Sequence, residues 1–202
     1  MAITLYGVAV SRALRCLWML EELGLPYRHV QTTFLGGGTR TPEHLKLNPN
    51  GHIPVLQDDG LTLFESMAIN LYLAMKYDKG LWPAGDADRG RAIQWSFWGM
   101  TEVEPHLLQV VINRAMLPAE RRDEARAAKA LDTLQTPFRI LDEALAGRET
   151  LVGSAFSVAD LNVAAILSWI RPAQVETSAF PRLSRWLTAQ HSRPAFKAAL
   201  AK

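Results

Sequence analysis

The sequence predicts an α/β amino-terminal half built on a small mixed sheet, followed by an all-helical carboxy-terminal half. Three observations carry that expectation. Through Tyr77, short apolar runs alternate with segments whose apolar residues recur at helical spacing. Asp58-Asp59-Gly60 separates two of the short runs, and an Asp-Gly between apolar runs is a strong hairpin signal. After Lys79-Gly80-Leu81-Trp82-Pro83-Ala84-Gly85, which reads as a linker, strand patterns stop.

Taken in order, Ile3 to Tyr6 reads as a strand, followed by a loop of small residues. Arg12 to Leu23 reads as a helix, because Ala13, Cys16, Leu17, Leu20 and Leu23 fall on one face. Gly24 and Pro26 end it. Tyr27 to Gln31 returns to strand character, and a polar Gly-rich stretch (36–41) leads into a short helix over Pro42 to Leu47. Ile53 to Gln57 and Leu61 to Phe64 form the hairpin, and Ser66 opens a helix through Tyr77. The order is β-α-β-α-β-β-α. A right-handed crossover makes the first two strands parallel and the hairpin is antiparallel, which is the thioredoxin-like layout. This domain is assigned 1–79.

The second domain, 87–202, is all helix: long helices over Arg89 to Met116 and Arg121 to Leu145, then a helix start at Phe156-Ser157-Val158-Ala159-Asp160-Leu161. There Ser157 and Asp160 have the spacing of a capping box, with Phe156 and Leu161 placed as a hydrophobic staple. Pro181 and Pro194 open two further helices, since proline is tolerated at the first helical position.

Composition narrows the function classes. Among 202 residues, 22 are basic and 20 acidic, interleaved along the chain, so no basic stripe for nucleic acid stands out. No apolar run approaches the roughly 18 residues of a membrane span, and the amino terminus lacks the pattern of a signal peptide. Cys16 is the single cysteine, so no internal disulfide forms, and a cytoplasmic location is expected. The histidines His29, His44, His52, His106 and His191 show no metal-ligand spacing, and no metal is expected.

Three local features point to one ligand. Ser11 stands where loop meets helix. It reads equally as a plain N-cap or as a hydroxyl beside a helix end, where free N–H groups favour an anion. Serine is a poor base, so the anion it suits is a bound thiolate. Asn50-Gly51-His52-Ile53-Pro54-Val55 is either a simple strand start or, with a cis bond before Pro54, a backbone presented to an extended peptide. Glu65-Ser66 precedes a helix. Helix end and hydroxyl would take a carboxylate and Glu65 an ammonium, the two charges of an amino-acid head group.

The blocks LYGVAVSRALRCLWMLEELGLPY, LNPNGHIPVL, LFESMAINLYL and SAFSVADLNVAA, in that order, resemble the successive blocks of the cytosolic glutathione S-transferase superfamily, in its serine-type, theta- and phi-like form. The resemblance covers essentially the whole chain. It implies that Ser11 hydrogen-bonds the glutathione sulfur, that Ile53 pairs with the cysteinyl portion before a cis Pro54, and that Glu65 and Ser66 hold the γ-glutamyl head group. His52 stands where many relatives place lysine against the glycyl carboxylate. Asp160 and Ser157 match a structural capping box. Tyr6 is the alternative sulfur donor, as in tyrosine-type classes, but the LYG context with Ser11 after it is the serine-type pattern. Cys16, on the apolar face of its helix, reads as core rather than reactive thiol.

The expected activity is conjugation of glutathione, as co-substrate, to a small hydrophobic electrophile. Trp95, Trp98, Met100, Val103 and His106 are the candidate electrophile pocket, each of them equally readable as core or subunit interface. Alternatives are a glutathione-dependent reductase or isomerase, and a non-catalytic binding module that keeps the fold. Reduction through an enzyme thiol would want cysteine at position 11, and Ser11-Arg12-Ala13 lacks the Ser-Ser-Cys block of zeta-like isomerases. A homodimer is expected, its surface drawn from helices carrying Trp95, Trp98 and Leu107.

Overall fold

A computed structural model describes residues 3–202; Met1 and Ala2, with which the amino-terminal reading and the first domain begin, lie outside the described residues. Two compact units divide the chain: one runs up to Trp82 and takes back Ser192–Lys202, and the other is Pro83–His191.

In the first unit, β1 (Ile3–Tyr6), α1 (Ala13–Leu23) and β2 (Tyr27–Val30) form the βαβ start. A 3-10 segment, Leu35–Arg40, leads to α2 (Pro42–Leu47), then β3 (Val55–Asp58), β4 (Leu61–Phe64) and α3 (Ser66–Tyr77). The sheet has four strands in the order β2-β1-β3-β4. β1 and β2 are parallel, with Ile3 opposite Tyr27, while β3 is antiparallel to both β1 and β4. The hairpin turns as its residues dictate. Asp59 and Gly60 hold φ of 48° and 87°, the two positive values a two-residue type I′ turn needs. β3 begins at Val55 rather than Ile53, because Pro54 has no N–H to give a ladder.

Helix α1 is buried on every side from Ala13 through Leu20, Arg15 included, and Gly24 closes it at φ 58°. A helix buried all round belongs inside a core. It carries α3 on one flank and α9 (Pro194–Leu200) on another. Trp18 meets Phe196 edge-on at 4.7 Å, and the Arg193 guanidinium forks onto Glu22 at 2.6 and 2.8 Å. The sequence places 192–202 with the helical domain. The chain end instead returns to the first unit, because Phe196 and Ala199 bury there and Glu22 supplies the ion pair. A second network ties the hairpin to α3: Asp58, buried, accepts hydrogen bonds from Tyr72, Lys76 and Tyr77.

The second unit holds α4 (Asp86–Trp98), α5 (Glu104–Val111), α6 (Glu124–Ala144), α7 (Val158–Leu167) and α8 (Pro181–His191). The helix expected over Arg89 to Met116 is helical throughout, but it widens into π-helical turns at Gly99–Val103 and Ile112–Met116. Pro105 explains the first: its ring crowds the carbonyl four residues back and it donates no hydrogen bond, so the helix widens there. Every residue of α7 is buried, and the capping box at its start is complete. Asp160 accepts from the N–H of Leu151 and of Ser157, from the Ser157 hydroxyl and from the Trp186 indole. Burial pushes its carboxyl up, against the pull of those donors. No helix among the described residues is long and apolar enough to cross a membrane.

Candidate active site

Sheet topology brings the sequence-predicted groups of the first unit to one edge. β1 ends at Tyr6, which pairs with Val55 at the start of antiparallel β3, and Val55 pairs with Phe64 at the end of β4. The loop into α1, the Ile53-Pro54 segment and the entry to α3 therefore leave the sheet at the same end. Gly7 lets them converge. At its φ of 147°, a Cβ would sit 2.4 Å from the Ala13 Cβ and 3.6 Å from the Ile53 Cβ, so only glycine fits there.

Ser11 is half-buried and stands one residue before the cap of α1, which is Arg12 and makes no side-chain cap bond. The N-cap expectation is corrected accordingly. Ser11 instead closes a local turn, its hydroxyl donating to the Val8 carbonyl at 2.7 Å and accepting from the Ala13 N–H at 3.1 Å. The Val8 carbonyl also receives the Ser11 N–H at 3.0 Å. The hydroxyl proton is therefore held by an acceptor that stays satisfied if the proton turns elsewhere.

Tyr6 points its hydroxyl away to Gln57, donating to Oε1 at 2.8 Å. Cys16 is fully buried, and burial pushes its thiol far up against a weaker opposing pull from Arg15. Its Sγ lies 3.6 Å from the Ser66 carbonyl, as a thiol donating weakly.

The Ile53–Pro54 peptide is cis. Both residues are buried, and among the described residues no hydrogen bond engages the Ile53 main chain. The preceding loop is pinned at its carbonyl: His44 Nε2 and Asn48 Nδ2 both donate to the His52 carbonyl, at 2.9 and 3.0 Å. The His52 imidazole is left exposed. Gly51 sits at φ 62°, a conformation that favours glycine, and the Arg40 guanidinium lies against it, 2.6 Å from where a Cβ would stand. Arg40 is exposed, and its guanidinium lies against Gly51, next in the chain to His52. The sequence reading passed over it, though an arginine between a Gly-rich stretch and a helix start was there to notice.

Glu65 takes the unusual backbone φ 71°, ψ 110° and turns the chain from β4 into α3. Such a conformation at a non-glycine residue costs about 1–3 kcal/mol and marks a position held for a purpose. Its side chain is exposed. Ser66 is the first residue of α3 rather than its cap, and is buried. Its Oγ accepts from Arg15 Nη1 at 3.2 Å. Around it the first turn of α3 presents N–H groups with no intrahelical partner. Arg15 escaped the sequence reading too. The signal was a lone charge within ALRCLWML, where every neighbour is apolar and an arginine must find polar partners.

The candidate pocket residues lie in the second unit, on α4, the π turn and α5. Trp95 and Trp98 are half-buried and meet edge-on at 4.8 Å. Met100 and His106 are also half-buried. Val103 is 1 % exposed, so its side chain belongs to the helical core; Leu107, expected at a subunit surface, is fully buried as well. The exposed apolar side chains of α4 are Ile93 and Phe97, one turn apart.

Comparison with known proteins agrees along the whole chain. Residues 1–75 match the glutathione S-transferase N-terminal domain model and residues 103–194 the C-terminal domain model. The glutathione S-transferase GstB of Escherichia coli is 32% identical over 199 residues, spanning 96% of each chain. Glutathione S-transferase 4 of Zea mays is 30% identical, spanning 96% of this chain and 90% of its own. Among solved structures, a theta class glutathione S-transferase from Xanthomonas axonopodis pv. citri, with glutathione bound, superposes with a TM-score of 0.93 at 31% identity, covering 99% of this chain and 97% of that one.

Proposed function

The chain belongs to the glutathione S-transferase family, and from that premise we propose that it joins the glutathione thiolate to a small apolar electrophile, with Ser11 at the sulfur. The observation that carries this reading is the shared edge at which Ser11, Ile53 and the Glu65-Ser66 pair leave the sheet. A tripeptide laid along it meets a different group at each residue. Its head-group carboxylate faces the first turn of α3 and the Ser66 hydroxyl, with Glu65 beside its ammonium. The cysteinyl backbone lies against the main chain of Ile53. The glycyl carboxylate reaches the Arg40 guanidinium and the His52 imidazole.

Tyr6 is the weaker sulfur donor because turning its hydroxyl away takes from Gln57 Oε1 the bond it accepts, whereas the Val8 carbonyl released by the Ser11 hydroxyl keeps the Ser11 N–H. A reductase route through an enzyme thiol is disfavoured. Cys16 is the only thiol in the chain, and it is buried and held protonated. The electrophile side of the reaction is read onto Trp95, Trp98, Met100 and His106, with apolar chemistry as the class they suit.

The test is binding. The protein should be retained on immobilised glutathione and released by free glutathione. Glu65→Ala should weaken that affinity by about 1.5–3 kcal/mol, the usual worth of a hydrogen bond to a charged group. Unchanged affinity in the variant would remove the head-group assignment.

A further inference from the structure

We propose that Arg15 is a positioning residue for the peptide head group: from inside the core it fixes the Ser66 hydroxyl so that its proton is offered to the ligand carboxylate. The inference rests on the glutathione reading above and adds to it a residue that never touches the ligand.

The argument begins from what each group can do. A guanidinium only donates; a serine hydroxyl has one proton to give and lone pairs to receive. Arg15 Nη1 lies 3.2 Å from Ser66 Oγ, so in that bond Oγ is the acceptor. With a lone pair taken from behind, the hydroxyl proton must point elsewhere. Among the described residues Ser66 Oγ donates to no acceptor, although the residue is only 4 % exposed. A buried hydroxyl keeps its donor unused only at a cost, unless a ligand completes it. It sits on the first turn of α3, where main-chain N–H groups also point outward, so the donors converge on one anion.

Geometry holds Arg15 in this role. It is 1 % exposed and lies in the buried stretch of α1. α3 is fastened to α1 at the same level, since Asn70 Nδ2 donates to the Arg15 carbonyl at 3.2 Å and Cys16 Sγ approaches the Ser66 carbonyl. α1 and α3 are therefore fastened to each other at the level where Arg15 meets Ser66. A donor behind the serine also polarises its O–H, which strengthens the bond it gives to an anion.

The experiment measures calorimetric affinity for glutathione and for γ-aminobutyryl-cysteinyl-glycine, the same peptide without the head-group carboxylate. Wild type should prefer glutathione; equal binding of the two would defeat the head-group reading itself, whatever Arg15 does. Arg15→Gln should lower glutathione affinity about tenfold, as the loss of a contact reinforcing a charged hydrogen bond does. Affinity for the decarboxylated peptide should stay within about twofold, so that the preference collapses. Ser66→Ala should collapse it likewise, and the double variant should fall no further than the single ones. Equal weakening of both peptides, a preference that survives Arg15→Gln, or losses that add in the double variant would each overturn the proposal. If Arg15→Gln does not fold, Arg15→Lys takes its place. Its ammonium also donates, so the preference should persist within about threefold, and its loss would count against the proposal.

Discussion

Replacing Ser11 by alanine deletes one hydroxyl, and the structure bounds what that hydroxyl can be worth. In the free protein its proton rests on the Val8 carbonyl at 2.7 Å. Turning it to a thiolate gives up a neutral hydrogen bond of about 1 kcal/mol net and forms a charge-assisted one of about 1.5–3 kcal/mol. Val8 keeps the Ser11 N–H, so no orphan is left behind. The difference, about 0.5–2 kcal/mol, bounds the loss of thiolate; because intrinsic nucleophilicity rises with the sulfur pKa, turnover near neutrality should fall by no more than about threefold. The same difference should raise the pKa of bound glutathione by about half a unit to one and a half units. The direction is fixed: the bond favours the charged sulfur, so its removal moves the pKa up. The assay is the ultraviolet thiolate band of the glutathione complex titrated against pH, with glutathione affinity measured in parallel and expected to change little. The Ala13 N–H also loses its acceptor, so a stability loss of about 1 kcal/mol is expected and the titration belongs well below the melting temperature. Tyr6→Phe is the control and should leave the band unmoved. A shift in Tyr6→Phe without one in Ser11→Ala would refute the assignment and transfer the sulfur to Tyr6.

Other expectations follow from the same coordinates. Burial alone would push the Asp58 carboxyl up, but hydrogen bonds from Lys76, Tyr77 and Tyr72, with the Lys76 charge, hold it below the usual value. A depressed carboxylate contributes stability above its unfolded pKa of about 3.9 and loses it as pH falls through the folded value, so the protein should weaken below about pH 4. Asp58→Asn should flatten that acid limb in denaturant titrations at several pH values; an unchanged limb would remove Asp58 as its source. Asp160→Ala should destabilise the chain by about 3 kcal/mol, because it strips the acceptor from several buried donors at the start of α7, and thermal melts read this directly. Light scattering at micromolar concentration should give about twice the chain mass, with Phe97→Glu on exposed α4 shifting it toward the monomer; a monomer throughout would dispose of the dimer.

What could be read from sequence was what neighbouring residues decide among themselves. Asp59-Gly60 specifies its own turn, and Ser157 with Asp160 specifies its own cap, so both appear where expected. Features set by distant partners were not legible. The helix widened at Gly99–Val103 carried its warning in Pro105, but the widening that accommodates a proline is a packing outcome. The return of α9 onto α1 depends on Glu22 meeting Arg193 from the far end of the chain. At the site, the resemblance named positions 11, 65 and 66, and in the fold these leave the sheet at one edge. It could not reveal that the Ser11 proton is lodged on Val8, or that Arg15 stands behind Ser66.

The bounded worth of Ser11 has a consequence for where catalysis resides. Even a depression of the sulfur pKa by about two units, from ~8.5, raises the thiolate fraction near neutrality only roughly twentyfold. Intrinsic nucleophilicity falls along with pKa at a Brønsted slope of about 0.4–0.5, which removes about eightfold of that and leaves a net gain of about threefold. A factor so small cannot be the main source of rate. Positioning can be, since well-oriented reactants reach effective molarities of about 10⁵ M and above. On the proposed reading, the groups at the two ends of the peptide, Glu65 and Ser66 at one and Arg40 and His52 at the other, would therefore govern the chemical step through the place they give the sulfur. On this account Glu65→Ala lowers kcat as well as raising KM, because a head group that drifts lets the thiolate drift with it. A variant that raised KM alone would mean that the head-group contacts bind ground state and transition state equally, and that the sulfur is oriented by the Ile53 main chain instead.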